Sequence, residues 1–308
     1  FAFGNNIFFK VHKLFLSGGE PFLRADLKEI CEIFYNQNMT RLIYIPTNGL
    51  LIDKMSKDIK HISKTCSDAK LTITFSLEGT EEINDRIRGN GTFNTVMQNL
   101  RHICAMKREL NNLRVLVSST ITSLNSNDIL SLFYLLKNEV DIDYHTYDPI
   151  RNLSRSKNPL FLLNPQDWKR LTDKTIHFDK YYFSKSNEKG IKLICHLLAK
   201  KYIYKIQRHC LGGKSWPFKC LAGHLFGVIE PNGNVKPCEL VGETFGNLRG
   251  ANYNFKDIWY SKDAEIIRNR IARGNIPICR GCTNGCCCLV PSLISNPLHL
   301  FQAITELY

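Results

Sequence analysis

Leu14-Phe15-Leu16-Ser17-Gly18-Gly19-Glu20-Pro21-Phe22-Leu23-Arg24 passes from an apolar run into a glycine pair and a proline, then resumes with helical patterning. Such a run reads as a strand closed by a tight loop. The same order recurs through the first 150 residues. Strand-like runs fall at 11–16, 42–45, 71–77, 113–121 and 142–147, and amphipathic segments near 26–37, 53–64, 92–110 and 127–138 separate them. Val-, Ile- and Leu-rich strands alternating with helices predict a parallel sheet covered by helices, an α/β fold.

The strand ends carry the functional signal. They read Ser17-Gly18-Gly19-Glu20-Pro21, Thr47-Asn48-Gly49, Ser76-Leu77-Glu78-Gly79 and Ser118-Ser119-Thr120. In parallel α/β folds the ligand sits at the carboxyl ends of the strands, so four polar or glycine-rich ends in succession describe a lined site. Taken singly, each of these residues also serves as a cap for the helix that follows.

A second signal lies near the other end of the chain. Twelve residues separate Cys220 from Gly233, four separate Gly233 from Cys238, and forty lie between Cys238 and Cys279, which Cys282 and then Cys286, Cys287 and Cys288 follow. Thiolates are soft ligands that hold iron-sulfur clusters or zinc. Pro231-Asn232-Gly233-Asn234 reads as a hairpin turn that brings Cys238 back beside the region of Cys220.

Composition narrows the class. The chain has 308 residues, 44% of them hydrophobic, enough for one large and one small domain. Of its 12 cysteines only Cys31, Cys66 and Cys104 precede residue 190, a crowding that suits metal-bound thiolates in a reducing cytoplasm better than disulfides. No apolar run approaches the roughly 20 residues of a membrane span. The 41 basic against 28 acidic side chains leave a net charge of +13, which favours anionic partners or a solvated lysine-rich surface.

The strand-end segments together resemble the radical SAM superfamily. The resemblance rests on the Gly18-Gly19-Glu20-Pro21 segment, on Pro46-Thr47-Asn48-Gly49, on Phe75-Ser76-Leu77-Glu78-Gly79, and on Asn84-Asp85-Arg86-Ile87-Arg88-Gly89 leading into Gly91-Thr92-Phe93. The cysteine pattern resembles the SPASM or shorter twitch extension of that superfamily. This implies a partial (β/α)6 barrel lacking its first strand, followed by a small Cys-rich domain. It also implies that S-adenosyl-L-methionine binds across the strand ends. Gly18, Gly19 and Glu20, with Pro21 behind them, would present backbone groups to the methionyl amine. Thr47, Asn48, Ser76, Glu78 and Ser118 would line the ribose and adenine side. Arg88, rather than Arg86, would meet the methionyl carboxylate; the alternative for either arginine is an ion pair with Glu81, Glu82 or Asp85. Glu78 replaces the aspartate common in the family.

The resemblance further implies an auxiliary [4Fe-4S] cluster. One cluster is expected, on Cys220, Cys238, Cys279 and Cys282, with Cys286 competing for the place of Cys282; Cys210 would bring the candidate thiols to eight. Cys195 and the three early cysteines are expected to be small buried residues. The radical-generating [4Fe-4S] cluster needs a Cys-x3-Cys-x2-Cys segment, and no such triplet is present in the sequence. The chain starts at Phe1, so the expectation is an upstream piece carrying the first strand and those ligands. A non-catalytic relative is the alternative.

The expected organisation is a barrel over 1–158, a helical bridge over 159–209 and a cluster domain over 210–308. Arg151, Arg155 and Lys157 form a basic loop suited to an anionic substrate or simply to solvent. The expected partners are that unidentified substrate, whether peptide, sugar or lipid-linked, and a reductant such as flavodoxin or ferredoxin. Nucleic acid is not expected. A reading from a different class is a non-enzymatic, zinc- or cluster-stabilised binding module.

Overall fold

A computed structural model describes residues 10–151, 163–186, 190–216 and 218–283. The chain forms two compact units, one ending at Tyr147 and the other beginning at Asp148.

The first unit is built on strands β1 (Lys13–Phe15), β2 (Leu42–Thr47), β3 (Lys70–Ser76), β4 (Leu113–Ile121) and β5 (Tyr144–Pro149), which lie side by side in chain order. β1 to β4 pair in parallel, with Phe15 opposite Tyr44, Thr47 opposite Phe75 and Ser76 opposite Ser118. Helices α1 (Leu27–Asn38), α2 (Ile52–Thr65), α3 (Glu81–Arg88), α4 (Thr92–Met106) and α5 (Ile129–Glu139) fill the connections. Right-handed crossovers between sequential parallel strands place every helix on the same face of the sheet. The burial pattern agrees. Ile43, Ile45, Leu71, Ile73, Phe75, Val115 and Val117 are buried, whereas Tyr44, Pro46, Thr74, Ser76, Leu116 and Ser118 alternate with them and are half-buried. Met55, Ile59, Ile62, Leu100, Ile103, Leu132 and Leu136 supply the helical side of this core. The expected α/β partial barrel is the observed architecture.

Sequence periodicity missed one helix. Residues 84–89 read as an arginine motif, and the structure places them in and just after α3. Glu81 and Glu82 occupy the first turn of α3 and Arg86 and Arg88 the last, the arrangement that a helix dipole favours.

In the second unit, α6 (Pro165–Lys185) starts at Asn164, whose side chain accepts from the N–H groups of Gln166 and Asp167. It pairs with α7 (Gly190–Leu211): Trp168 Nε1 donates to the Tyr204 carbonyl at 3.1 Å, and Tyr204 donates its hydroxyl to Asp179 at 2.8 Å. Cys195, expected to be buried, is instead exposed. The first turns of α7 are apolar on more than one side, with Ile191 and Ile194 also exposed, and packing against α6 covers only part of that circumference. Cys31, Cys66 and Cys104 are buried as expected.

The chain then forms a small antiparallel sheet from β6 (Val228–Ile229), β7 (Asn234–Lys236) and β8 (Gly246–Asn247). The expected hairpin turn joins β6 to β7, and Gly233 takes φ 92° there, a conformation that favours glycine. Helices α8 (Phe255–Trp259) and α9 (Lys262–Ala272) follow. Arg268 of α9 is buried between the rings of Phe245 and Trp259, 4.9 Å from each centroid, and donates to the carbonyls of Gly223 and Trp259. Among the described residues no helix is long and apolar enough to cross a membrane.

Candidate functional site

The loop after β1 is held by a carboxylate. Glu20 caps the 3-10 turn Pro21–Leu23, its Oε1 accepting from Phe22 N–H at 3.2 Å and from Thr47 Oγ1 at 2.9 Å, while Oε2 accepts from Asn48 N–H at 2.7 Å. Thr47 is buried, and its hydroxyl also accepts from Gly49 N–H at 3.0 Å, so its polar capacity is spent inside the protein. Asn48 turns its side-chain oxygen to Leu50 N–H at 3.0 Å. Pro21 is buried. Gly18 and Gly19 are exposed, Gly18 takes φ 141°, and among the described residues nothing lies within 4 Å of where a Cβ would project from either. The Glu20 side chain is thus committed to bracing, and the backbone of 18–20 borders open space.

A second carboxylate organises the ends of β3 and β4. Glu78 Oε1 accepts from Arg88 Nη2 at 2.5 Å and Nε at 3.2 Å, and Oε2 accepts from Thr120 N–H at 2.7 Å. The glutamate is buried, with 7% of its side chain exposed against 30% for Arg88. Arg88 therefore pairs with Glu78, not with Glu81, Glu82 or Asp85. Asn84 accepts from Glu78 N–H at 3.0 Å, and Asn125 donates to the carbonyls of Glu78 and Thr120 at 2.7 and 2.9 Å. Ser76 and Ser118 sit opposite each other in register, both half-buried, on the sheet face away from the apolar core. The residues read from the strand ends thus gather at one edge of the sheet.

The cysteines of the second unit converge as well. Burial pushes the Cys279 thiol up to about 12, and the neighbouring thiols of Cys220, Cys238 and Cys282 push in the same direction. Burial likewise raises Cys238, with Cys220 adding to the effect. Cys210 is buried and raised to about 12, chiefly by burial and then by Cys282. Cys279 is therefore close enough to Cys220, Cys238 and Cys282 to feel their charge. Among the described residues no three His, Cys, Asp or Glu side chains are drawn into a metal-holding arrangement. The donor set is nonetheless the soft, all-sulfur set that an iron-sulfur cluster takes. Cys286, Cys287 and Cys288 lie outside the described residues.

With this geometry in view, comparison with known proteins is informative. Residues 220–283 match the family described as SPASM, an iron-sulfur cluster-binding domain. Over 265 residues the chain is 24% identical to the AdoMet-dependent heme synthase of Methanosarcina barkeri, covering 83% of this chain and 69% of that one. The fold matches a solved structure of native anSMEcpe with bound AdoMet and Cp18Cys peptide, at TM-score 0.54 and 19% identity, over 82% of this chain and 68% of that one. These likenesses support a radical SAM protein that carries a SPASM domain.

A higher local identity, 34% over 128 residues, links the chain to the Fe-coproporphyrin III synthase of Methanosarcina barkeri, where the match covers 41% of this chain and 29% of the relative. The chain thus spans less than a third of that relative and about two thirds of the heme synthase.

Several organising residues at the sheet edge carried no clear signal in the sequence. Asn84 and Asn125 hold both ends of the Glu78 loop, and Asp128 accepts from Thr80 N–H at 2.6 Å and from the Thr80 hydroxyl at 2.9 Å. Asn125 and Asp128 lie 47 and 48 residues from their partners, a separation that leaves no local pattern to read. Only Asn84 had a signal, its place in the Asn84–Gly89 motif.

Replacing Arg88 with Ala leaves the Glu78 carboxylate buried with the backbone N–H of Thr120 as its remaining donor among the described residues. The expected cost is about 1.5–3 kcal/mol, the worth of hydrogen bonds to a charged group, read as a lower urea midpoint with unchanged slope. Arg88→Lys should recover only part of it, since lysine cannot reproduce the two-nitrogen contact.

Proposed function

We propose that the protein acts as a radical SAM enzyme. Its strand-end edge holds S-adenosyl-L-methionine, and Cys220, Cys238, Cys279 and Cys282 hold one auxiliary [4Fe-4S] cluster that serves electron transfer. The observation that carries the reading is the match of residues 220–283 to the SPASM family, within which Cys279 lies near enough to Cys220, Cys238 and Cys282 to feel their charge.

The residues at the sheet edge fit the cofactor. The methionyl amine needs acceptors at close range, and Gly18 and Gly19 border open space with no Cβ to obstruct it. The Glu20 side chain keeps that loop in place without reaching into it. Ser76 and Ser118 offer half-buried hydroxyls for the ribose and adenine side, and the partly exposed Arg88 lies beside them through Glu78. A radical SAM cluster, when bound, supplies the electron that splits S-adenosyl-L-methionine to methionine and a 5′-deoxyadenosyl radical, which takes hydrogen from an unactivated carbon of the substrate. The protein's part is to orient the cofactor and keep water away. Cys31 in α1 and Cys66 just past α2 are buried near enough for one to feel the other's charge, Cys104 is buried in α4, and among the described residues the three form no metal-holding group. In this reading the Cys-x3-Cys-x2-Cys ligands are not among these 308 residues, the setting is cytoplasmic, and flavodoxin or ferredoxin delivers the electron.

For the substrate, the net charge of +13 favours an acidic molecule, and the porphyrin products that two relatives are named for are of that kind. Arg151 pairs with Glu239, and Arg155 and Lys157 lie outside the described residues.

Three measurements test these statements. Anaerobic reconstitution should load close to four irons per chain; Cys238→Ala or Cys279→Ala should abolish uptake, and Cys31→Ala or Cys104→Ala should not. Stoichiometric zinc without iron would return the protein to the binding-module reading. A chain extended upstream through the cysteine triplet should release 5′-deoxyadenosine under dithionite, and release at enzymatic rates by the present chain would sink the placement of the radical cluster. In the extended enzyme, Lys157→Ala should raise KM severalfold and flatten its dependence on salt; an unchanged KM and salt slope would count against an acidic substrate.

A further inference from the structure

Residues 281–283, which include the second cysteine of the Cys279/Cys282 pair, are held by three hydrogen bonds from α7 and the segment after it. Gly281 N–H donates to the Lys214 carbonyl at 3.2 Å, Trp216 Nε1 to the Cys282 carbonyl at 2.6 Å, and Gln207 Nε2 to the Thr283 carbonyl at 3.4 Å. The same Gln207 nitrogen donates to Asp148 Oδ1 at 2.7 Å. Gln207 is 1% exposed and Thr283 2%.

The orientation of this amide follows from its partners. Turned over, its oxygen would face a carboxylate and a carbonyl, two acceptors that offer no proton. The orientation has a consequence: Gln207 Oε1 and Thr283 Oγ1 are buried and have no hydrogen-bond partner among the described residues. Buried polar atoms left unpaired are rare and costly, and an apolar side chain of similar length would fill the space without them. What the glutamine adds over such a side chain is the tie between Asp148 and Thr283.

We infer that Gln207 is a positioning residue for the auxiliary cluster: within the second unit its amide ties Asp148 to the Thr283 carbonyl and, together with Trp216, sets the orientation in which Cys282 presents its sulfur. This rests on the reading of residues 220–283 as the site of that cluster. The outer partners of a metal ligand fix its direction, and cluster potentials respond to the polar groups around the sulfurs. Gln207 touches no reacting atom in this role. It acts through Cys282.

The test uses the full 308-residue chain, reconstituted anaerobically, with iron content, the spectrum of the reduced cluster by electron paramagnetic resonance, and the midpoint potential as readouts. Gln207→Met keeps the length of the side chain and removes the donor. It is expected to retain the parent's iron content, alter the spectrum, and change the reduction equilibrium about tenfold or more, about 59 mV for one electron. Asp148→Leu, which breaks the other end of the tie, should reproduce the shift, whereas Asp148→Asn, which keeps an acceptor, should behave as the parent. A Gln207→Met cluster with the parent's potential and spectrum overturns the inference. Should Gln207→Met fail to hold iron, the Asp148 pair decides, and identical behaviour of the Leu and Asn variants overturns it equally. A parent chain that takes up no iron sinks the cluster reading itself, and this inference with it.

Discussion

When parallel strands pair in the order in which they are made, each connection must climb back over the sheet before the next strand begins. Right-handed crossovers send all of those connections over one face. The first unit obeys this constraint along its whole sheet, from β1 to β5. One face is therefore dry and apolar and the other only half-buried, and the carboxyl ends of all the strands meet at one edge. The residues read as cofactor contacts share that edge for this reason, although up to a hundred positions separate them in the sequence, from Gly18 to Ser118.

Carboxylates hold the loops at that edge. Glu20 accepts from Asn48 N–H, Glu78 from Thr120 N–H, Asp128 from Thr80 N–H, and Asp85 from the N–H groups of Gly91 and Phe93. Each fixes a backbone amide in a neighbouring segment with a charge-assisted bond, stronger than one between neutral groups. The bond to Phe93 N–H is the main reason that the Asp85 carboxyl lies below the usual carboxylate value. Loops braced in this way present their backbone to a ligand already ordered, which lowers the entropy lost on binding. The longer side chain of Glu78 lets one carboxylate reach Arg88 and the β4 backbone together, a span that a shorter aspartate covers less readily.

The second unit is organised differently. Its sheet strands are two or three residues long and provide little core, so packing falls on Arg268 between two aromatic rings and on the buried contacts of α6 and α7. Small domains of this kind commonly depend on a metal to complete them. The four converging thiols, each raised where a shift is resolved, are the groups whose repulsion as thiolates a positively charged cluster core would relieve.

Much of this was legible in the sequence, because strand and helix periods, turn residues and cysteine spacing are local properties. The runs at 42–45, 71–77 and 113–121 became β2, β3 and β4 with small changes at their ends, and Pro231-Asn232-Gly233-Asn234 became a hairpin turn. The tertiary structure alone decided which partner each polar side chain takes. Arg88 had three nearby acids by sequence and chose a fourth, Glu78, because the turn from β3 into α3 brings that carboxylate under the end of the helix. Cys195 reads like the buried cysteines around it and is exposed, because only one side of α7 meets α6. Gln207 carries no pattern at all, since its two acceptors lie 59 and 76 residues away and only folding brings them within reach of one amide.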